Sequence, residues 1–229
     1  MRQATKPDKV YPMPLVRVDL VVLSVMEQRL QVLLGHREED PYKGRWGLPG
    51  GVLRIDLDES LEAAAQRVAL ERLNLNLLNV HQVAAVGGVD RDARAPWAMS
   101  IVYRSLVQPD MQLTAGKRIH ALAWRPVDEL SLRSPLAFDH AALVLHAVSS
   151  IRREIAEMRF PAGWVSEPFT YGELQKASEA VLGYALDKVT FRRRMDAAGI
   201  ALPLKGKMRA GSAHRPAQLY SFKRETPAA

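Results

Sequence analysis

The chain has 229 residues, of which 48% are hydrophobic, and it carries a net charge of +7 and no cysteine. This size allows one large domain or two modest ones, and the lack of cysteine excludes disulfide bonds and cysteine-ligated metal sites. No apolar run reaches the roughly 18 residues of a membrane helix, and residues 1–14 have no signal-peptide core, so we expect a cytoplasmic location without membrane contact.

The positive charge is concentrated in the last third of the chain. Residues 166–229 contain 11 Lys or Arg against 6 Asp or Glu, whereas residues 1–165 contain 21 against 19. A nearly neutral body with a basic C-terminal part is typical of a nucleic-acid-binding tail. A solvated basic surface would have the same composition.

The first two thirds of the chain predict a mixture of strands and helices. Five segments rich in β-branched and apolar residues predict strands: 16–25, 30–37, 80–89, 99–107 and 121–130. Two segments with apolar residues at helical spacing predict helices at 60–73 and 137–158. Gly, Pro and polar residues predict loops at 38–51 and 90–97. Strands on both sides of a central helix indicate an α+β fold.

The pattern changes after a linker at 159–168 that contains Pro and Gly. Helices are predicted at 170–183 and 186–199, and a segment that is strand-like at both ends and basic between them follows at 202–223. Cap residues frame both helices: Thr170 and Asp187 before the first turns, Gly183 and Gly199 after the last. Two helices followed by a basic hairpin have the order of a winged-helix domain.

The second of these helices has the features of a recognition helix. Phe191, Met195 and Ala198 share an apolar face, and the arginines turn away from it. Lys205, Lys207 and Arg209 lie where a wing would follow the DNA backbone. The residues expected to contact DNA are Thr170, Tyr171, Thr190, Arg192, Arg193, Arg194, Lys205, Lys207 and Arg215. A basic helix that binds nothing remains an alternative.

The junction of loop 38–51 and helix 60–73 resembles the Nudix box. That motif reads Gly, five residues, Glu, seven residues, Arg-Glu, an apolar residue, any residue, Glu-Glu, any residue, Gly, apolar. Here RWGLPGG ends at Gly51, and seven residues separate Glu59 from Arg67, as in the motif. The resemblance covers about residues 16–130 and implies a Nudix-type α/β/α sandwich.

Two of the motif's four glutamates are missing. Seven residues instead of five separate Gly51 from Glu59. Val68 stands where the motif has Glu, Glu71-Arg72 where it has Glu-Glu, and Asn74 where it has Gly. Positions 68, 71 and 72 share one helix face, which in active relatives binds divalent cations through three carboxylates. We therefore expect no catalytic residue, no metal and no other cofactor. Arg72 would supply the cation's charge instead, so that an anionic phosphate can still bind.

Two other interpretations of this helix remain open. The match to the box could be chance in an ordinary amphipathic helix. Alternatively, the protein is an active enzyme whose metal ligands come from other acidic residues, the candidates being Glu38, Glu39, Asp40, Asp90 and Asp92.

Both parts of the chain together resemble the Nudix-related transcriptional regulator (NrtR) family. The tail segments FTYGELQ (169–175), LDKVTFRRRM (186–195) and RPAQLY (215–220) match that family's tail, as does the stretched box. Thr190 departs from it, because Asn is expected before Phe-Arg-Arg. The resemblance implies a repressor of NAD-metabolism genes that binds double-stranded, palindromic operators as a homodimer. It also implies that ADP-ribose, or a related NAD-derived nucleotide, is the effector.

The chain then divides into an effector-binding domain, residues 1–158, and a winged helix-turn-helix domain, residues 159–229. The residues expected to form the effector pocket are Arg37, Trp46, Gly50, Gly51, Arg54, Arg67, Arg72, Arg91 and Trp97. The tryptophans would stack on adenine, and the arginines would hold the pyrophosphate. Alternatively, the tryptophans belong to the core, and Arg67 orients Glu59 or caps the loop.

Three functions are compatible with these features of the sequence. The first is a ligand-responsive DNA-binding repressor. The second is an active Nudix hydrolase of nucleoside diphosphate derivatives with an accessory nucleic-acid-binding tail, which the missing carboxylates argue against. The third is a protein-interaction scaffold, which the basic helix and hairpin argue against.

Overall fold

The structure is a computed structural model that describes residues 13–77, 79–209 and 216–223. The strands are β1 (Leu15–Met26), β2 (Arg29–Arg37), β3 (Trp46–Gly47), β4 (Gly50–Val52), β5 (His81–Asp92), β6 (Ala95–Val107), β7 (Ile119–Pro126), β8 (Ala201–Arg209) and β9 (Ala217–Phe222). The α-helices are α1 (Leu61–Leu73), α2 (His140–Ala156), α3 (Tyr171–Leu182) and α4 (Lys188–Ala198), and a short 3-10 helix spans Val127–Glu129. None of these helices is long and apolar enough to cross a membrane.

Seven strands form one mixed sheet around β1. The order is β3-β2-β1-β6-β5, while β4 and β7 pair with β1 and β2 beside this row. β1 runs parallel to β6, with Leu15–Ser24 opposite Ala98–Val107, and antiparallel to β2 and β4. β8 and β9 form a separate antiparallel hairpin.

Alternate residues of β1 face opposite sides of the sheet, as in any strand. Val18, Leu20 and Val22 pack in the cluster that contains α1. Val21 and Leu23 pack in the cluster that contains α2. Burial on both faces explains why β1 is almost continuously apolar. The three layers α1, sheet and α2 confirm the predicted α/β/α sandwich within an α+β fold.

The C-terminal helices pack on the α2 side of the sheet. Leu174 of α3 and Met195 of α4 belong to the same buried cluster as Ile151 and Ile155 of α2. Arg152 of α2 also donates a hydrogen bond to the Val181 carbonyl of α3, at 2.9 Å. One continuous apolar core therefore extends from the sheet through α2 to α4.

The predicted helix ends of this part are confirmed. Thr170 and Glu173 form a capping box, in which each side chain accepts a hydrogen bond from the other residue's backbone N–H. Asp187 caps α4. Gly183 and Gly199 end the two helices with φ of 81° and 58°, in the left-handed region that glycine enters without steric penalty.

The predicted loop at 90–97 is wrong. β5 continues to Asp92 and β6 begins at Ala95, so the strands still pair through Val89 and Trp97. The pairing is irregular between Val89 and Asp92, and it resumes at Asp92 and Ala95 next to the turn. Arg91 and Trp97, which were expected to reach a ligand from a loop, are strand residues.

Smaller differences concern the loop at 38–51 and α4. That loop contains β3 and β4, whose backbones pair with β2 and β1. In α4, Phe191 and Met195 are buried as expected, but Ala198 is exposed because it lies in the last turn, beyond the packed part of the helix.

Candidate ligand pocket and nucleic-acid interface

A cleft opens where β1, β2 and β4 approach the last turn of α1. Its walls carry more positive than negative side chains: Arg17, Arg37, Arg72, Arg94 and Arg118 against Glu39 and Asp40. With its open mouth included, the cleft contains about 540 Å³ of empty space. Because guanidinium groups bind phosphate oxygens with fixed geometry, this wall favours a ligand that contains phosphate.

Arg72 is a nearly buried member of this wall. Its Nε donates a hydrogen bond to the Gly50 carbonyl at 3.0 Å, and its Nη1 donates to the Lys117 carbonyl at 3.2 Å. Burial lowers the pKa of Arg72, and the charge of Glu71 opposes that effect. Arginine nevertheless stays protonated in proteins, so a permanent cation occupies a position where the Nudix box has a carboxylate.

The remaining carboxylate of this helix face is paired. Glu71 Oε2 lies 3.4 Å from Nη1 of Arg67 and 3.7 Å from Nη1 of Arg72. Val68 is fully buried, and a Cβ on Gly51 would lie 2.8 Å from its Cγ2. The face therefore presents an apolar group and a carboxylate held between two guanidinium groups.

Arg67 closes the loop of the box instead of lining the cleft. Its Nε and Nη2 donate to the two oxygens of Asp58 at 2.6 and 2.8 Å, and Nη2 also donates to the Val52 carbonyl at 3.0 Å. The hydrogen bonds between Arg67 and Asp58 lower the pKa of the aspartate and raise that of the arginine. This geometry matches the loop-capping alternative, with Asp58 as the partner in place of Glu59.

The acidic residues considered as substitute metal ligands are separated or paired. Asp92 accepts hydrogen bonds from Arg94 at 2.9 and 2.6 Å. Glu39 pairs with Arg118 at 3.0 Å. Throughout residues 13–77, 79–209 and 216–223, no group of three His, Cys, Asp or Glu side chains could hold a metal ion.

Buried charges support the glycine loop beside the cleft. Asp19 is fully buried, accepts hydrogen bonds from Ser100 and from Arg17, and lies 3.3 Å from Nη2 of Arg17. Burial alone would raise the pKa of Asp19, but the charge of Arg17 and the hydrogen bonds from Ser100 and Arg17 lower it below its usual value. A Cβ on Gly50 would collide with this carboxylate, so the close approach of the loop requires glycine.

His140 connects this cluster to the first turn of α2. Its Nδ1 accepts a hydrogen bond from the Leu48 N–H at 2.8 Å, which places the proton of the neutral ring on Nε2. Burial lowers the pKa of His140 to about 4, against the attraction of Asp19. The 3.8 Å separation of Nε2 from Asp19 Oδ1 is therefore a contact of a neutral imidazole and not an ion pair.

The structure brings four of the nine expected effector residues into the cleft: Arg37, Gly50, Gly51 and Arg72. The other five lie elsewhere. Arg54 pairs with exposed Asp56 at 3.0 Å, Arg67 holds Asp58, and Arg91 donates to Asp139 and Ser100. The ring of Trp46 packs 5.1 Å from the ring of His36, and Trp97 is exposed on β6.

Three arginines of the cleft wall, Arg17, Arg94 and Arg118, were missed from the sequence. Arg17 could have been predicted, because Arg17 and Asp19 are two charged residues within an apolar strand, and buried charges require partners. Arg94 and Arg118 lie in turns and carry no signal of this kind.

The outer side of α4 is basic and exposed. Phe191 and Met195 hold the helix against the core, whereas Thr190, Arg192 and Arg193 are exposed. Among the described residues, Arg193 has neither a hydrogen bond nor an ion pair through its side chain. A basic helix presented in this way suits the major groove of DNA.

Other expected DNA contacts are engaged within the protein. Arg194 donates a hydrogen bond to the Ala156 carbonyl at the end of α2. Tyr171 donates to Asp196 at 3.1 Å and stacks on Tyr220, and Thr170 is used in the capping box. Burial raises the pKa of Tyr171, as does its hydrogen bond to Asp196.

The hairpin adds positive charge next to α3. Lys205 and Lys207 are exposed on β8. Arg209 pairs with Glu173 at 3.0 Å and donates to the Pro168 carbonyl at 2.7 Å, which joins β8 to the start of α3. Arg215 lies outside the described residues.

Two family models match the chain. The NUDIX domain matches residues 13–147, and the NrtR DNA-binding winged helix domain matches residues 162–222. The first match covers the sheet and α1 and ends within α2, and the second covers the part that contains α3, α4 and the hairpin.

Individual proteins match over most of both parts. The ADPR responsive transcriptional repressor NtrR of Acinetobacter baylyi is 34% identical over 93% of this chain and 83% of its own length. Shewanella oneidensis NrtR complexed with a 27mer DNA is 31% identical, with a TM-score of 0.73 over 91% of this chain and 93% of that one. The NUDIX domain of the Shewanella protein complexed with ADP ribose is 32% identical, with a TM-score of 0.56 over 62% and 90%. The chain therefore belongs to the Nudix-related transcriptional regulator (NrtR) family.

Proposed function

We propose that this protein is a transcriptional repressor that binds duplex operator DNA through α4 and the β8–β9 hairpin. ADP-ribose, or a related NAD-derived nucleotide, enters the cleft and lowers the affinity for the operator. The observation that carries the proposal is the wall of five guanidinium groups in a chain that also exposes a basic recognition helix. The relatives support it, since one is an ADPR responsive repressor and another is described in complexes with DNA and with ADP ribose.

In the cleft, Arg37 and Arg72 hold the pyrophosphate, while Arg17, Arg94 and Arg118 are paired with Asp19, Asp92 and Glu39. Gly50 and Gly51 let the loop pack closely against Asp19 and Val68, which sets the position of this side of the cleft. Arg67 and Arg91 act indirectly, because they hold Asp58 of the box loop and Asp139 at the start of α2.

On DNA, two copies of the chain bind one palindromic operator, since a two-fold dimer presents one recognition helix to each half-site. The regulated genes are those of NAD metabolism, and the protein acts in the cytoplasm. We place the division between the two functional parts at residues 158 and 159.

The same proposal includes the absence of hydrolase activity. Val68 and Arg72 replace two of the three carboxylates that would bind divalent cations, and Glu71 is paired with arginines. Incubation of ADP-ribose with the protein and Mg²⁺ or Mn²⁺ should release no AMP above background. A turnover near 1 per second, roughly the lower end of ordinary enzyme rates, would contradict this part of the proposal.

The decisive experiment is an electrophoretic mobility shift on promoter DNA of NAD-synthesis genes. The protein should retard a promoter duplex, and ADP-ribose should reduce that retardation, while AMP at equal concentration should do so less. Failure to bind any such duplex, or binding unchanged by ADP-ribose and by NAD-derived nucleotides, would overturn the proposed function.

A further inference from the structure

The outer side of α4 carries an apolar side chain that the core does not use. Buried Phe191 and Met195 define the side of the helix that faces the protein. At about 100° per residue, Val189 and Arg193 fall on the opposite side. Val189 is 75% exposed. Since the two residues are four positions apart, they form one outward ridge.

Neither packing nor helix propensity accounts for Val189. A β-branched residue loses rotamer freedom in a helix, and an exposed valine gains nothing from burial. Its surroundings are basic, because Lys188, Arg192 and Arg193 are exposed beside it. An apolar protein partner would have to desolvate these charges, whereas a nucleic acid neutralises them.

The major groove of DNA offers a matching pair of groups. The C5-methyl of thymine is the apolar group that base edges display there, and guanine offers O6 and N7 to a guanidinium. We propose that Val189 contacts a thymine methyl group in each operator half-site and that Arg193 binds a guanine of the same half-site. This inference rests on the proposed DNA-binding function and names the sequence feature that α4 reads.

The helix geometry sets the spacing of the two bases. Residues four apart are separated by about 6 Å along the axis, which corresponds to roughly two base steps of about 3.4 Å. The thymine and the guanine therefore lie about two steps apart when α4 follows the groove. Arg194 does not take part, because it is turned toward the Ala156 carbonyl.

The experiment begins with the full-length protein and a pool of random duplexes, from which bound sequences are selected. If no sequence is enriched, the DNA-binding function itself is contradicted. In the selected duplex, each thymine is then replaced by deoxyuridine, which lacks only the methyl group. At one thymine of a half-site, this replacement should lower the affinity of the protein for the duplex about fourfold, which is the value of one buried methylene-sized group. Replacing the equivalent thymine in both half-sites should lower the affinity about 16-fold.

The cause of that loss is identified with variants at position 189. In Val189→Ala the deoxyuridine penalty at this thymine should disappear, and in Val189→Thr, which keeps one branch methyl, it should remain. Leu132→Ala is the matched control, because Leu132 is 71% exposed and lies in the loop after β7, outside the DNA-binding part; it should leave the penalty unchanged.

Two results would overturn the inference while leaving the repressor function intact. One is a selected duplex in which no thymine has a penalty that depends on residue 189. The other is a selected half-site without any A·T pair. Arg193→Ala should, in addition, reduce the preference for guanine about two steps from the thymine and leave the thymine penalty in place.

Discussion

Arg72 joins two walls of the cleft in addition to supplying charge. One of its acceptors, the Gly50 carbonyl, belongs to β4, and the other, the Lys117 carbonyl, belongs to the segment before β7. Its removal should therefore have two measurable effects, one on ligand affinity and one on the free energy of unfolding. A hydrogen bond to a charged group is worth about 1.5–3 kcal/mol.

The first prediction is that Arg72→Gln weakens ADP-ribose binding by roughly 10- to 100-fold, the loss of one charged contact to the pyrophosphate. Titration calorimetry measures the affinity, and thermal denaturation shows whether the variant is folded. Arg133→Gln, at an exposed position outside the cleft, is the control and should bind like the parent. Equal affinity in a folded Arg72→Gln protein would mean that this guanidinium does not hold the ligand.

His140 gives the protein a pH-dependent stability of known sign. Its folded pKa of about 4 lies below the ordinary value of 6.5, because burial and the charges of Arg17 and Arg37 favour the neutral ring. Between these pH values the unfolded chain binds a proton that the folded chain does not. The contribution of the neutral His140 to the free energy of unfolding is therefore complete above about pH 6.5, and it is lost as the pH decreases toward 4.

The second prediction is that this loss amounts to about 3 kcal/mol between pH 6.5 and 4 and is absent in His140→Gln, whose side chain can still accept from Leu48. Urea denaturation at a series of pH values measures it. The control is His120→Gln, since the His120 side chain is exposed and should not affect the difference. An identical pH slope for the parent and His140→Gln would refute the assignment.

At the scale of elements, α2 connects the cleft to α4. His140 in its first turn bonds to the loop that forms the cleft, and the Ala156 carbonyl at its last turn accepts from Arg194 of α4. The helix has 17 residues and is thus about 25 Å long. A movement of the loop can therefore reach α4 as a displacement of one rigid element.

The third prediction is that Arg194→Ala acts on this connection and not on base recognition. It should weaken operator binding less than Arg193→Ala does, and it should bring the ratio of operator affinities without and with ADP-ribose closer to one. Fluorescence anisotropy titrations measure both quantities. If Arg194→Ala instead abolishes operator selectivity while the ADP-ribose effect on residual binding is unchanged, Arg194 reads DNA directly.

The elements were largely predictable because their signals are local. Apolar spacing indicated α1, α2 and α4, and the cap residues at 170, 183, 187 and 199 marked helix ends that the structure confirms. The ends of β5 and β6 were not predictable, since strand pairing is irregular after Val89 and resumes at Asp92 and Ala95, next to the turn. Local polarity indicates exposure at such a place, but it does not indicate where pairing stops.

The site was predictable only in part, because a cleft depends on which residues the topology brings together. Arg37 and Arg72 are 35 positions apart in the sequence and reach the same wall because β2 and α1 both border β1. Arg118 arrives from the segment before β7, which no motif marks. The opposite error occurred at Arg54 and Arg91, which were expected in the pocket but lie outside the cleft, paired with Asp56 and Asp139.

At the scale of the whole molecule, ligand and operator should oppose each other to the same extent. If ADP-ribose lowers operator affinity by a given factor, thermodynamic linkage requires operator DNA to lower ADP-ribose affinity by that factor. The continuous core between the sheet and α4 gives the two sites a common structural route.

The fourth prediction is that this factor lies between about 5 and 150, the usual range for coupled sites. Calorimetric titration of ADP-ribose into the free protein and into the protein–operator complex measures it. A scrambled duplex of equal length and composition should give an affinity close to that of the free protein. Identical affinities in the free and operator-bound states would show that ADP-ribose does not control operator binding.

The buried guanidinium of Arg72 has a physiological consequence. A bound Mg²⁺ dissociates, so a pocket that depended on one would fill according to two concentrations, that of the nucleotide and that of the free metal. Arg72 is part of the chain and cannot be chelated, diluted or exchanged. Under the proposed function, occupancy of the cleft would therefore depend on the nucleotide concentration alone, and fluctuations in the cell's free magnesium would leave it unchanged.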